Sequence, residues 1–203
     1  RYGMTEIGMA LSNPYEGERR PGTVGQPLPG VDLRLMSDSG QVVTNEGQPG
    51  QIQVRGTCLF SEYWQRPDAT AEVFDEDWFR TGDIAVLPDG YYQIMGRQSV
   101  DIIKSGGYKL SALEIEAVLL DQPDISQCAV VGIPDDTWGE AVAVAVVMEG
   151  HSEMDADHLR SWSEQRLSKY KIPKNWKAVS SLPRNAMGKV TKPAVRELFV
   201  REP

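Results

Sequence analysis

The chain has 203 residues, of which 40% are hydrophobic and 25% are charged, proportions typical of globular domains. Its formal net charge of −8 argues against nucleic acid or an anionic membrane as a general partner, because both favour basic surfaces. No apolar run approaches the length of about 20 residues that a membrane helix needs, so we predict no membrane span.

Residues 1–96 are predicted to form a mostly β module. The first 30 residues contain six glycines and four prolines, a density that predicts an ordered loop system. Alternating apolar and polar residues then predict strands at 31–36 and 51–55. A short helix is predicted at 67–73, and Asp89-Gly90 predicts a hairpin turn. We expect this module to be a small barrel or a folded sheet.

Residues 102–203 are predicted to form a small α+β sandwich, in which helices pack on a sheet. Ser111 and Glu114 form a capping box that predicts a helix start. The run 141–148 contains almost only Val and Ala, which predicts a strand buried on both faces. The other predicted elements are a strand at 129–133, a helix at 155–169, a strand at 175–179 and a helix from Thr191 to about Arg201.

The junction between the modules runs from Gly96 to Lys109 and contains the pair Gly106-Gly107. Its local pattern fits a strand, a bulge and a turn. A second interpretation is a swivel between two domains, followed by a loop that contacts a ligand, since glycines allow close approach to the backbone.

Cysteine and histidine are too sparse to form a disulfide framework or a metal cluster. Cys58 and Cys128 lie far apart in sequence, and neither His151 nor His158 belongs to a group with ligand spacing. We therefore predict a reducing compartment: the cytosol, with the mitochondrial matrix as the alternative. The chain starts at Arg1 within a motif-like stretch, which suggests the tail of a longer protein.

Five stretches resemble, in order, the motifs of the acyl-adenylate-forming superfamily, which includes acyl-CoA synthetases, luciferases and adenylation domains. Within it, Arg1 before Tyr-Gly-Met-Thr-Glu and the run 11–25 are most similar to the malonyl-CoA synthetases. The five stretches are 2–6, 50–56 with 62–64, 78–83, 96–109 and 183–189.

The resemblance implies the end of a large adenylating domain (1–96), a hinge (97–101) and a small mobile C-terminal domain (102–203). Ser99 holds the hinge position, where the superfamily usually has Lys or Asp. The implied enzyme is an AMP-forming acyl-CoA ligase that uses ATP, Mg²⁺ and CoA, with malonate or methylmalonate as the acid. The phosphate-binding loop of the superfamily is absent from these 203 residues. We therefore expect the chain alone to be inactive without the preceding part of the same protein.

The resemblance also assigns roles to residues that bind the nucleotide. Tyr2 is implied to stack on adenine, Thr5 to donate to the α-phosphate, and Glu6 to bind Mg²⁺, which needs only one or two carboxylates on a nucleotide. Asp83 is implied to accept the ribose hydroxyls, a role that suits an acceptor-only carboxylate, and Arg97 to make a second ribose contact.

Further roles follow for the reacting groups. Lys189 is implied to be the catalytic cation of adenylation, since an ammonium on a flexible stem can contact both anions. The stretch Gly106, Gly107 and Tyr108 is implied to face the pantetheine arm of CoA. Arg1 is implied to pair with the second carboxylate of the substrate. By contrast, Lys174 and Lys192 are expected to be ordinary solvated lysines.

Two other functions remain open at this level. One is a medium- or long-chain fatty acyl-CoA ligase, which would have no use for a cation at Arg1 in the acyl pocket. The other is a non-catalytic fragment or binding module, because the phosphate loop is missing.

Overall fold

A computed structural model describes residues 1–150 and 152–200; His151 and Arg201, which the sequence analysis named, lie outside this range. The chain divides into two compact units, one covering Arg1–Gln98 and the other beginning at Ser99. Among the described residues, no helix is long and apolar enough to cross a membrane.

The first unit contains two antiparallel sheets and a short helix. Its core includes Ile52, Val54 and Phe79, and the predicted strand at 51–55 is confirmed, although Gln53 on the opposite face is buried as well. Strands β1 to β3 form the smaller sheet, and the larger sheet has the order β4-β5-β7-β6 with β8 on β7. The elements are β1 (Tyr2–Met4), β2 (Gly8–Ser12), β3 (Gln26–Pro27), β4 (Val31–Met36), β5 (Gly50–Gly56), α1 (Pro67–Val73), β6 (Phe74–Asp75), β7 (Trp78–Val86) and β8 (Gln93–Arg97).

Two expectations for this unit need correction. The first 30 residues were expected to be a loop system, but they contain β1, β2 and β3. Strand β2 pairs with β1 and β3, and the distant Tyr92 accepts from Val24 N just before β3. Local breaker density cannot reveal such pairing. The described strands also form two separate open sheets, so the expected barrel is wrong and the folded-sheet alternative is closer.

The second unit is a five-stranded sheet with helices on both faces, as the α+β prediction required. Its sheet has the order β10-β9-β12-β11, with β13 parallel to β12. The elements are β9 (Ile102–Ser105), β10 (Tyr108–Ser111), α2 (Ala112–Leu120), β11 (Ile125–Asp135), β12 (Gly139–Met148), α3 (Ala156–Glu164), β13 (Asn175–Ala178) and α4 (Lys192–Val200).

Strand β12 shows why the Val/Ala run is buried on both faces. Its valines, such as Val144, pack into one core with Ile115 of α2 and Leu159 of α3. Its alanines, such as Ala143, pack into a second core with Val195 of α4. The small alanine side chains leave room on the α4 face, and the prediction of a strand buried on both faces is confirmed.

Helix boundaries are confirmed at Ser111 and differ at α3. The Ser111 hydroxyl accepts a hydrogen bond from Glu114 N at 3.1 Å, so it caps α2 as predicted. Helix α3 ends at Glu164 rather than 169. There the chain turns, and the extended backbone of Ser168 leads into a 3₁₀ turn at Lys169–Lys171.

Candidate functional site

Three residues assigned to nucleotide binding come together in the first unit. The Tyr2 hydroxyl donates to Asp83 Oδ2 at 2.6 Å, and the Arg97 guanidinium lies 3.3 Å from Asp83 Oδ1. Strands β7 and β8 place Asp83 directly opposite Arg97, and β1 supplies Tyr2. We call this group the Tyr2–Asp83–Arg97 cluster.

The backbone around Asp83 is fixed by Thr81 and Gly82. The buried Thr81 hydroxyl donates to the carbonyl of Ile52 at 2.9 Å and accepts from Asp83 N at 3.1 Å. Arg97 donates to the carbonyl of Thr81 and lies over Gly82, where a Cβ would be only 3.1 Å from the guanidinium. Gly82 has a φ of +78°, a backbone conformation that favours glycine, and a Cβ there would also require the Arg97 side chain to shift.

The electrostatics of the cluster keep Tyr2 a hydrogen-bond donor. Burial, followed by the hydrogen bond to Asp83, raises the pKa of the Tyr2 phenol above its ordinary value. The Asp83 side chain is 13% exposed, and an ionised carboxylate offers about four lone-pair sites. Acceptor capacity therefore remains on Asp83 for a further donor such as a diol.

Glu6 and Thr5 lie in the turn between β1 and β2. The Glu6 carboxylate accepts from the Tyr63 hydroxyl at 3.0 Å, and its carbonyl accepts from Phe60 N at 2.8 Å. Burial and this bond to Glu6 raise the pKa of Tyr63. Thr5 is exposed. Tyr63 belongs to a quoted motif but had no predicted role; it orients Glu6.

The single carboxylate of Glu6 suits a cation that is bound to a nucleotide. Within residues 1–150 and 152–200, no group of three or more His, Cys, Asp or Glu could hold a metal ion. Mg²⁺ on a nucleotide takes most of its ligands from phosphate and water, so a single carboxylate fits it.

Arg1 lines an open hollow of about 530 Å³ in the first unit. The hollow also includes Ser12, Asn13 and Arg19. The Arg19 guanidinium donates to the carbonyls of Pro14 and Tyr15, whereas Arg1 is exposed. The hollow is therefore lined by two guanidinium groups, those of Arg1 and Arg19.

Gly106 and Gly107 form the two-residue turn of the β9–β10 hairpin. Their φ values of +58° and +83° are both positive, as a type I′ turn requires. A Cβ on Gly106 would lie 2.8 Å from the Trp138 ring, and Gly106 N donates to the Trp138 carbonyl at 2.9 Å. The turn therefore leaves backbone atoms uncovered by side chains next to the Trp138 ring.

An aromatic cleft of about 270 Å³ adjoins this turn, and the sequence analysis missed most of it. Tyr108 stacks on Tyr170 with ring centroids 4.9 Å apart, and the Lys174 ammonium lies 5.2 Å from the Trp138 ring centre. Lys174 is half-exposed, yet it contacts an aromatic face and is not simply solvated. The run from Tyr170 to Lys174, an aromatic residue among lysines, was the signal available in the sequence.

Lys189 is exposed on a loop whose backbone is well fixed. The Asn185 side chain accepts from Met187 N at 3.0 Å and from Lys189 N at 2.9 Å, and Asn185 N donates to the Lys189 carbonyl. In the described part of the chain the Lys189 ammonium makes no ion pair. The loop thus presents a cation on a flexible stem.

The division between the units falls next to Ser99. Gln98 belongs to the first unit, because its amide donates to the Gly82 carbonyl at 2.9 Å and its side chain accepts from Gln51 at 2.7 Å. Ser99 is exposed and begins the second unit.

Lys192 is where the sequence analysis failed most clearly. It was expected to be solvated, but only 12% of its side chain is exposed, and its ammonium lies between Glu116 and Asp101. These carboxylates come from 76 and 91 positions earlier in the chain, so no local pattern announces them.

Comparisons with known families match both units. The AMP-binding enzyme family matches residues 1–64, and the C-terminal domain family of AMP-binding enzymes matches residues 114–189. This chain belongs to the AMP-binding enzymes. The predicted resemblance and the predicted pair of folds, the end of a large domain and a small C-terminal domain, are confirmed. The residue limits predicted for the domains and the hinge stay predictions.

Among the curated relatives of this chain are two mammalian mitochondrial malonate–CoA ligases named ACSF3. The cattle protein (Bos taurus) is 47% identical and aligns with 100% of this chain, and the mouse protein (Mus musculus) is 49% identical over 95% of it. The chain spans only 38% and 36% of their lengths. These relatives give no support to a long-chain fatty acid substrate.

Solved structures include ATP-bound MatB from Rhodopseudomonas palustris. It matches with a TM-score of 0.84 and 38% identity, over 98% of this chain and 40% of that protein. The order of strands and helices described above is therefore that of an experimentally known AMP-binding enzyme.

Proposed function

We propose that the full-length protein is an AMP-forming ligase that activates malonate or methylmalonate as an acyl-adenylate and transfers the acyl group to CoA. The observation that carries this proposal is the Tyr2–Asp83–Arg97 cluster, a preorganised acceptor site in a chain similar along its length to malonate–CoA ligases. ATP, Mg²⁺ and CoA are proposed here as the ligands of the full-length protein.

The cluster suits the sugar and base of AMP. Asp83 is held from both sides, so its free lone pairs face a fixed direction and can accept two ribose hydroxyls. Arg97, which is half-exposed, is available for a second ribose contact. The Tyr2 hydroxyl is occupied by Asp83, which leaves its ring face as the group that stacks on adenine.

Thr5 and Glu6 suit the triphosphate end of the nucleotide. Thr5 is exposed in the turn, where its hydroxyl can donate to an α-phosphate oxygen. Glu6, oriented by Tyr63, would hold Mg²⁺. The cation would supply charge neutralisation on the phosphates.

Lys189 is the proposed cation for the first half-reaction. The substrate carboxylate attacks the α-phosphorus, the bond to pyrophosphate breaks, and pyrophosphate leaves with the electron pair. An ammonium that contacts the incoming carboxylate and the α-phosphate relieves charge as it develops. The exposed, flexible side chain on a fixed loop supports this role.

The Gly106-Gly107 turn and the aromatic cleft are proposed for the second half-reaction. The turn offers exposed backbone to the thin pantetheine arm, and Tyr108 and its neighbours offer aromatic faces beside lysines for the nucleotide part of CoA. The CoA thiolate attacks the acyl carbon and AMP leaves. We propose that segment 97–101, with Ser99 as pivot, permits the rotation that exchanges the two half-reactions.

Arg1 tests the choice of malonate. A guanidinium in the acyl pocket matches a second carboxylate with two parallel hydrogen bonds and leaves an aliphatic tail unfavoured. In the full-length protein, Arg1→Leu should cost about 2–5 kcal/mol in kcat/KM for malonate, because the substrate carboxylate then lacks its partner. Activity with butyrate should hold or rise.

The measurement is the malonate-to-butyrate ratio of kcat/KM from pyrophosphate release. Arg55→Leu is a matched control, since this exposed arginine of the same unit pairs with Asp32 at 2.8 Å. A general loss of stability would lower both activities and leave the ratio constant. An unchanged malonate-to-butyrate ratio in Arg1→Leu would remove the support for malonate as the substrate. If the protein binds ATP but releases no pyrophosphate with any acid tested, the non-catalytic alternative is favoured.

We propose a mitochondrial compartment, with the matrix as the expected location, because the names of the cattle and mouse relatives include the word mitochondrial. The cytosol, the first choice from the sequence, is the competing outcome. Protease protection after import of the full-length precursor into isolated mitochondria distinguishes them.

A further inference from the structure

A lysine at the first residue of α4 lies between two carboxylates in the second unit. Lys192 Nζ is 2.7 Å from Glu116 Oε1 and 3.2 Å from Asp101 Oδ1. The exposed fractions of the three side chains are only 12%, 14% and 15%, in the order Lys192, Glu116, Asp101. We call this group the Lys192 triad. Ion pairs this well shielded from solvent are strongly coupled, and removing one partner is costly.

The position of Lys192 opposes the preference of the helix itself. The first turn of a helix carries the positive end of the dipole, so a cation there is disfavoured. The two carboxylates offset this, and both belong to fixed parts of the fold. Glu116 Oε1 also accepts from Val130 N at 2.7 Å, and the Asp101 carbonyl accepts from Ala112 N at 2.8 Å.

The triad joins the start of the second unit to the loop that carries Lys189. Asp101 lies two residues after Ser99, and Lys192 lies three residues after Lys189. The loop 184–190 is internally closed by Asn185, and Thr191 N donates to the Pro183 carbonyl at 2.9 Å. Arg184 of the loop donates to the Gln127 side chain of β11 at 2.8 Å, so Lys192 is a second anchor, at the C-terminal end of the loop.

We propose that Lys192 is a positioning residue for Lys189: the Lys192 triad fixes the loop 184–190 for adenylation and is dispensable for thioester formation. The inference rests on the proposed role of Lys189 in the first half-reaction. A displacement of about 1 Å in a reacting group can cost about 100-fold in rate, so loss of the anchor should be visible in the first half-reaction.

The test uses Lys192→Met in the full-length protein, with pyrophosphate release and thioester formation from pre-made malonyl-adenylate measured separately. We expect pyrophosphate release to fall by about tenfold or more in kcat, with the KM for ATP unchanged, because the nucleotide groups lie in the first unit. Thioester formation should be unchanged. The matched control is Arg196→Met, which removes an exposed ion pair with Glu140 one turn further along α4 and should change neither step.

Two further measurements separate positioning from a general structural role. If Lys192 acts through Asp101, the double variant Lys192→Met/Asp101→Asn should lose less than the product of the two single losses. Amide exchange at Thr191 and Val195, which flank Lys192 and donate to the carbonyls of Pro183 and Thr191, should be faster in Lys192→Met and unchanged in Arg196→Met. This exchange readout needs no catalysis.

Equal losses in both half-reactions, or unchanged exchange at these amides, would overturn the role of Lys192. A wild-type protein that releases no pyrophosphate with malonate would instead overturn the proposed function. In that case the exchange comparison still decides whether Lys192 positions the loop.

Discussion

The turn formed by Gly106 and Gly107 offers a matched pair of substitutions whose costs follow from the structure. Both glycines have positive φ, so alanine at either position places an L residue in the left-handed region. This strain costs about 1–2 kcal/mol of stability. Gly107 has open space where a Cβ would lie, so Gly107→Ala should cost this strain and no more.

Gly106→Ala should cost more, because its Cβ would lie 2.8 Å from Cε3 of Trp138. Overpacking of this kind adds about 1–3 kcal/mol, which brings the expected total to about 2–5 kcal/mol. Trp138 is 49% exposed, so it can relieve the contact by moving outward. That movement would open the aromatic cleft, and we expect thioester formation to fall further in Gly106→Ala than in Gly107→Ala.

The assay is urea unfolding of the full-length protein, with amide exchange in β12 reporting on the second unit. The double variant Gly106→Ala/Trp138→Ala removes the contact and, relative to Trp138→Ala alone, should retain only the backbone strain. If Gly107→Ala proves as costly as Gly106→Ala, the contact with Trp138 contributes nothing and the reasoning is refuted.

Three more predictions concern Lys189, Cys128 and the activity of the 203-residue chain by itself. In the full-length protein, Lys189→Ala should raise the activation free energy of pyrophosphate release by about 3–4 kcal/mol and leave thioester formation from pre-made adenylate unchanged. Equal losses in the two half-reactions would show that Lys189 acts elsewhere. Burial, with the nearby charge of Glu116, raises the pKa of the Cys128 thiol to about 12. The buried, protonated thiol therefore stabilises the folded protein fully below the unfolded thiol pKa of about 8.5, and this stabilisation is lost as the pH rises towards about 12. We expect the free energy of unfolding to fall less steeply with rising pH in Cys128→Ala than in the wild type. At pH 9, rapid alkylation of native Cys128 would contradict this. The 203-residue chain alone should release no pyrophosphate from ATP and malonate, and turnover near that of the full-length protein would refute the need for the missing phosphate loop.

Sequence patterns predicted a structural feature correctly where the interaction behind it involves residues that are close together in the chain. The Val/Ala run predicted β12 because a strand buried on both faces needs apolar side chains at every position. The cap at Ser111 was predictable because its partner, Glu114 N, is three residues away. The motif residues Tyr2, Asp83 and Arg97 were found by resemblance, and the structure brings them together.

Other features depended on which distant segments meet. The strands among the first glycines and prolines pair with one another, and the segment before β3 is bonded to Tyr92, far along the chain. Helix α3 stops early although Leu167 remains buried, so its apolar spacing overstated the helix length. The stack of Tyr108 on Tyr170 joins residues 62 positions apart and has no periodic signature.

The sequence by itself therefore determined the family, the two-part organisation and the residues proposed to meet the nucleotide, since periodicity, caps and motif order are written in neighbouring residues. Only the tertiary structure decided that Tyr63 holds Glu6, that Trp138 borders the glycine turn, and that Lys192 is enclosed by carboxylates. From the sequence alone, a charged side chain is expected to be solvated. Its burial depends on oppositely charged groups that only the tertiary fold brings next to it.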